Sequence, residues 1–315
     1  MTKNLKRLLF AILVCFLLIN GLAVIHGYKF THFSPGSGIR TKGPEELNWQ
    51  EKIATIFTGV ANPKPRLTSF PLQPFKTIRI VKTDTLEAWQ IPLSHPKGTV
   101  ILFHGYAGCK SDLLGQSAIF NTLGYNTILV DFAGSGGSTG MKTTLGINEA
   151  EEVRSWVSYV RHTNPASPIF LYGVSMGAVS ILRSESQSEL PVNGIILECP
   201  FESMLSAIKN RFDIINLPSF FFAELLAFWG GVQNGFWAFI HNSVEYAKHI
   251  SCPTLLFYGM KDRKVTNQEI QNIFSSLPGS KELVTFDSAG HDNDFLLYPD
   301  KWTGAVSTFL CQNNP

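Results

Sequence analysis

Beyond residue 75 the chain alternates two hydrophobic rhythms. "GTVILFH" (98–104), "NTILVDF" (126–132), "PIFLYG" (168–173), "NGIILEC" (193–199), "CPTLLFYG" (252–259) and "KELVTFD" (281–287) are unbroken apolar and β-branched runs. Such runs mark strands buried on both faces. "KTIRIVK" and "LEAWQIP" alternate instead, like a hairpin folded around Thr83 and Asp84. Helical patterns lie between the runs: residues 112–123 with Ser111 as cap and Gly124 as stop, then residues 145–163, 266–277 and 294–311. In the second of these, Ile147, Ala150, Val153, Val157 and Val160 share one stripe. Strand and helix in repeated alternation predict an α/β fold, a mostly parallel central sheet with helices on both faces.

Two stretches break the rhythm. At the N-terminus, Lys3, Lys6 and Arg7 precede the apolar run "LLFAILVCFLLI", which resumes as "LAVI" after Asn20 and Gly21. Residues 1–27 therefore read as a signal peptide or an N-terminal membrane anchor. Cut at residue 19 the run has signal-peptide length, and carried through Ile25 it is long enough to span a bilayer. Basic residues ahead of it place the N-terminus in the cytoplasm and the rest outside, or in the periplasm or medium if the segment is cleaved. Residues 28–75, turn-rich and then proline-rich, form a linker or N-terminal extension, and residues 76–315 form the folded domain. The second break is a cap insertion at about 201–250, where eleven aromatic residues fall between two strands. Its apolar surface is suited to packing on itself, to lining a substrate pocket or to touching lipid.

Composition narrows the function. A formal net charge of +2 over 315 residues, with no basic run past the N-terminus, argues against nucleic acid as a partner. The five cysteines form no CxxC pair and no metal-like spacing with histidine, so no metal and no cofactor is implied.

Chemistry then concentrates at one edge. In parallel α/β sheets, reactive groups collect beyond the C-terminal ends of the strands. The residues that follow the runs are His104 and Gly105, Ser175, Asp262 and His291. A serine hydroxyl is a poor nucleophile until a base takes its proton; His291 can be that base, and Asp262 can hold the imidazole's tautomer. Asp287 and Asp131 are the rival carboxylates, and Asp292 and Asp294 read as solvated or capping. "GVSMG" explains itself if the chain turns sharply from strand to helix at Ser175. Gly173 and Gly177 then sit where a Cβ would clash, and the Met176 amide is left pointing outward. The turn after "LFHG" supplies a second amide, that of Tyr106, for a two-donor oxyanion hole. His104 reads as a brace for that turn, and Cys109 as a small packed residue.

Taken together and in order, "FHGYAG", "DFAGSGGS", "GVSMG", "CPTLLFYGMKDRKV" and "SAGHDN" resemble the α/β-hydrolase superfamily over residues 76–312. Within it the chain is most similar to serine hydrolases of the esterase and serine-aminopeptidase-like groups. The resemblance implies Ser175 as nucleophile, Asp262 as acid, His291 as base, and the Tyr106 and Met176 amides as oxyanion donors. It implies hydrolysis of a carboxylic ester or acyl substrate through an acyl-enzyme. Ala178 stands where prolyl-oligopeptidase-type peptidases tend to carry another glycine, which weighs against a peptidase. A peptidase or amidase on the same triad, and a non-catalytic binding or scaffold protein, remain the alternatives.

Overall fold

A computed structural model describes residues 2–36, 38–291 and 294–314; Asp292 lies outside them. The chain opens with a long helix α1 (Lys3–Thr31) and a short α2 (Trp49–Thr58). The hairpin β1 (Lys76–Val81) and β2 (Thr85–Ile91) leads into β3 (Thr99–Phe103), α3 (Leu114–Thr122) and β4 (Asn126–Asp131). Next come α4 (Glu149–Thr163), β5 (Ile169–Val174), α5 (Met176–Gln187) and β6 (Gly194–Glu198). The insertion contributes α6 (Met204–Ile214), α7 (Phe222–Asn234) and α8 (Ser243–Ala247). The chain then runs through β7 (Thr254–Gly259), α9 (Asn267–Ser276), β8 (Lys281–Phe286), α10 (Asp294–Leu297) and α11 (Pro299–Asn313).

The strands form one sheet in the order β1-β2-β4-β3-β5-β6-β7-β8. β2 pairs antiparallel with β1 and β4, and the remaining pairings are parallel. Alternate side chains feed two cores, as a strand period of two requires. Ile101, Phe103 and Leu171 pack against α4, α5 and α9. Val100, Leu102 and Tyr172 face α3 and α11. Because both faces are covered, the polar groups of the site are confined to the sheet's C-terminal edge.

Three helices start differently from the sequence pattern. The helix expected from residue 112 is preceded by a 3-10 turn over Lys110–Leu113, so Ser111 lies within that turn. Its hydroxyl meets Thr68 and Cys109 instead of capping. The stripe expected over 145–163 begins only at Glu149. Leu145 and Gly146 adopt φ of +59° and +108°, and the buried Glu149 carboxylate accepts from the Thr144 and Gly146 amides at 2.8 and 2.9 Å. That carboxylate holds the preceding loop in place of another helical turn, and Ile147 packs on the cap instead. The last helical stretch is split, because Pro299 opens α11 and has no N–H to continue α10.

α1 carries an 18-residue window of mean hydropathy 2.9, none of it buried, so it is long and apolar enough to cross a membrane. It runs past residue 27 to Thr31, and its second half lies along α7. Trp229 Nε1 donates to Asn20 Oδ1 at 3.0 Å, Gln233 Nε2 to the Val24 carbonyl at 3.1 Å, and Asn234 Nδ2 to Thr31 Oγ1 at 3.0 Å. The extension after it is also held against the domain. Phe33 N donates to the Met141 carbonyl at 2.8 Å, and Asn62 Nδ2 to the Tyr106 hydroxyl at 2.9 Å. On the outer side of the cap, Phe221, Leu225, Phe228, Trp237 and Phe239 line an apolar depression.

Candidate active site

Ser175 sits between β5 and α5 at φ +51° and ψ −111°. That is a strained position for a residue with a side chain, and the surroundings enforce it. A Cβ on Gly173 would lie 2.6 Å from the Gly177 carbonyl carbon, and one on Gly177 would lie 2.3 Å from the Phe103 oxygen. Helix α5 can therefore press onto β3 and β5 only with glycine at both places, and this close approach drives the serine out of the sheet. The Ser175 amide is held by the Glu198 carbonyl at 2.8 Å.

The imidazole of His291 bridges the two other groups. Its Nε2 lies 2.9 Å from Ser175 Oγ, and its Nδ1 lies 2.7 Å from Asp262 Oδ2. With Nδ1–H donating to the carboxylate, Nε2 keeps its lone pair for the serine proton. The second carboxylate oxygen of Asp262 accepts from the Lys264 and Val265 amides at 2.7 and 3.0 Å. These bonds fix the acid so that it cannot turn away from the imidazole. The loops carrying the two residues are clamped together, since Lys261 N donates to the Ala289 carbonyl at 2.8 Å. Of the rival carboxylates, Asp287 is exposed. Asp131 is fully committed to the amides of Lys110 and Gly137, each at 2.7 Å, and to the Lys110 ammonium.

The loop after β3 lies against the serine: a Cβ on Gly105 would be 3.7 Å from Ser175 Cβ. His104 is fully buried beneath this loop. Its Nε2 accepts from Phe132 N at 3.2 Å, so Nδ1 carries the proton and donates to the Gly105 carbonyl at 2.8 Å. Burial pushes its pKa down and keeps the ring neutral, as this bonding requires. Among the described residues, neither the Tyr106 nor the Met176 amide has a backbone acceptor. Two donors thus stay uncommitted, one on the loop after β3 and one at the start of α5.

A family model described as "Serine aminopeptidase, S33" matches residues 94–224. The fold is similar to that of an esterase from Pyrococcus furiosus, with a TM-score of 0.67 and 22% identity over 81% of this chain and 100% of that one. The chain has the α/β-hydrolase fold. Among curated proteins, this chain is 27% identical over 204 residues to the lysophosphatidylserine lipase ABHD12 of Bos taurus. That match covers 61% of this chain and 48% of the relative. The corresponding Danio rerio protein is 24% identical over 246 residues, covering 70% and 60%. The chain thus spans about half to three-fifths of the length of the curated relatives it matches.

Some groups around the site escaped the sequence pattern. Cys199, at φ +48°, lies beneath the histidine. Its Sγ and donor atoms of Asp262 and His291 all lie within 4.8 Å of one another, a set that could hold a metal. Burial first, then the carboxylates of Asp294, Asp262 and Glu198, push the thiol's pKa up, which disfavours the thiolate a metal requires. Asp294, expected in solvent or at a cap, is fully buried in the first turn of α10. It lies within reach of the Cys199 thiol, whose burial brings it inward. Cys109 is a packed residue, its pKa pushed up to about 11 by burial.

Proposed function

We propose that the chain is a serine hydrolase that cleaves a carboxylic ester with a lipid-like acyl chain. The reading rests on the 2.9 and 2.7 Å contacts that join Ser175, His291 and Asp262. Ser175 Oγ attacks the ester carbon while its proton passes to His291 Nε2. Asp262 stabilises the imidazolium, and the Tyr106 and Met176 amides hold the oxyanion. His291 then protonates the departing alkoxide and later activates a water that releases the acyl-enzyme. The lipase relatives and the apolar cap support a lipid-like acyl group, and α1 supports tethering to a membrane. Lys3, Lys6 and Arg7 ahead of the apolar run favour a catalytic domain outside the cytoplasm.

A hydrolysis series over p-nitrophenyl and glycerol esters of increasing chain length, run beside Ser175→Ala, tests this. The expected result is turnover that peaks at medium or long chains and vanishes in the variant. Equal turnover by both proteins would remove the reading. The description of the matching family model favours a second reading, a peptidase or amidase on the same triad. A panel of aminoacyl amides in the same assay separates the two.

A further inference from the structure

A cation of the cap lies close to Tyr106 without an ion-pair partner among the described residues. Arg211, on α6 of the cap, is part-buried, and its Nη1 donates to the Ala207 carbonyl at 2.6 Å. Among the described residues it makes no ion pair and no further hydrogen bond. Its guanidinium carbon lies 6.0 Å from the centre of the Phe30 ring. That ring stacks on Tyr106 at 4.6 Å, the residue whose amide is the second oxyanion donor. Through Phe30 the guanidinium is thus one ring away from Tyr106, and Tyr106, Asp262, Glu45 and Glu269 all act on its charge.

An exposed second cation also lies over Tyr106. Arg40 lies 5.5 Å from the ring centre and donates from Nη1 to the Ala107 carbonyl at 2.9 Å. It too makes no ion pair among the described residues. The acids closest to Arg211 are already engaged. Glu45 pairs with Lys264 at 3.2 Å, and Glu269 accepts at Oε2 alone, from the Thr266 amide at 2.6 Å and Asn210 at 2.8 Å, making no ion pair with Arg211. Asp262 is taken by His291. A guanidinium offers a planar fork of five N–H donors that matches carboxylate and phosphate oxygens. Leaving most of it unused in a part-buried place is unfavourable unless a ligand supplies the acceptors.

We infer that Arg211, with Arg40 as an outer partner, forms a subsite for an anionic group carried by the substrate: a phosphate diester or carboxylate on the alcohol side of the scissile ester. The inference rests on the hydrolase reading of the site, and the tests below separate the two. The first measures kcat/KM on three monoacyl esters of equal chain length: a glycerophosphodiester, a dicarboxylic monoester and a neutral monoacylglycerol. In Arg211→Met, the ratio of anionic to neutral kcat/KM should fall about 10- to 100-fold, chiefly through KM, with Arg40→Gln giving a smaller fall. Arg211→Lys, which keeps charge but loses the fork, should fall between. The larger fall in the phosphodiester or carboxylate arm identifies the anion. An equal loss on all three esters, or none, overturns the subsite.

The second test needs no turnover. Calorimetry on Ser175→Ala protein compares decyl methyl phosphate, decanoate and decanol. Tighter binding of an anion, lost with Arg211→Met and weakened by salt, supports the subsite even if no ester is cleaved. Equal binding of all three overturns it whatever the ester assay gives.

Discussion

Two polar clusters lie at the C-terminal edge of the same sheet, and they end in opposite states. In one, the Lys110 ammonium is fully buried between Glu87, at 2.9 Å, and Asp131. Arg79 also donates to Glu87, and the Lys110 ammonium lies 4.7 Å from the centre of the Trp89 ring. The Lys110 and Gly137 amides complete Asp131. In the other, Ser175 is buried and His291 half-buried, and among the described residues the Tyr106 and Met176 amides have no backbone acceptor. A saturated network rigidifies its neighbourhood, while unfilled hydrogen-bonding capacity waits for a ligand. The first cluster pins the start of the segment after β3, and the second is the one proposed to perform the chemistry. The contrast teaches that the reactive site is found by what is left unpaired, not by charge alone.

The largest effect that would sharpen this contrast comes from Ser175→Ala or His291→Ala. Each should lower kcat by about 10⁶-fold in steady-state assays, with little further loss in the double variant. Asp262→Asn should cost about 10⁴-fold, because the carboxamide favours the wrong tautomer. Neither change should shift Tm by more than a few degrees. Lys110→Met inverts the pattern. Removing the ammonium leaves Asp131 buried without a cation and Glu87 with Arg79 alone, which should cost about 3–5 kcal/mol of stability in denaturant unfolding, and adding Glu87→Gln with Asp131→Asn should recover part of it. A triad variant that unfolds the domain, or a Lys110 variant that keeps full stability, would break the comparison.

The smallest effect concerns pH. His241 is buried where the cap meets the loop before α4, with Nε2 3.0 Å from the Leu145 carbonyl and Nδ1 2.9 Å from the Tyr246 hydroxyl. Burial is the main reason its pKa falls to about 4, against about 6.5 for a free imidazole. Between those values the unfolded chain binds one proton more than the folded one. The stability that His241 contributes is therefore complete above about pH 6.5, declines as pH drops toward 4, and levels off below it, a total of about 3 kcal/mol. The difference between the unaltered chain and His241→Gln in urea unfolding at stepped pH should show this slope, since the raised carboxyls of Glu152 and Glu185 act in the opposite direction in both proteins.

Much of the site was legible in the chain. Ser175 announces itself because only glycines at 173 and 177 let a helix press on a strand. Asp262 and His291 follow because each comes directly after an apolar run that had to be a strand. The saturated cluster was not legible. Lys110 reads as an ordinary surface lysine until sheet pairing brings Glu87 and Asp131 around it, and those residues lie on three separate elements. Arg211 is hidden for the same reason, since its neighbours Phe30 and Tyr106 reach it only through tertiary packing. The late start of α4 was missed because Ile147 keeps the helical period although Glu149 bonds the preceding loop. The split at Pro299 was visible, and the apolar spacing on either side masked it.

The most direct measurement is intact-mass analysis of the full chain after reaction with a fluorophosphonate, followed by peptide mapping. One adduct per chain is expected, on Ser175, and it should disappear in Ser175→Ala and slow sharply in His291→Ala. An unlabelled chain, or a label mapping to another residue, would contradict the assignment of Ser175 as a nucleophile activated by its histidine.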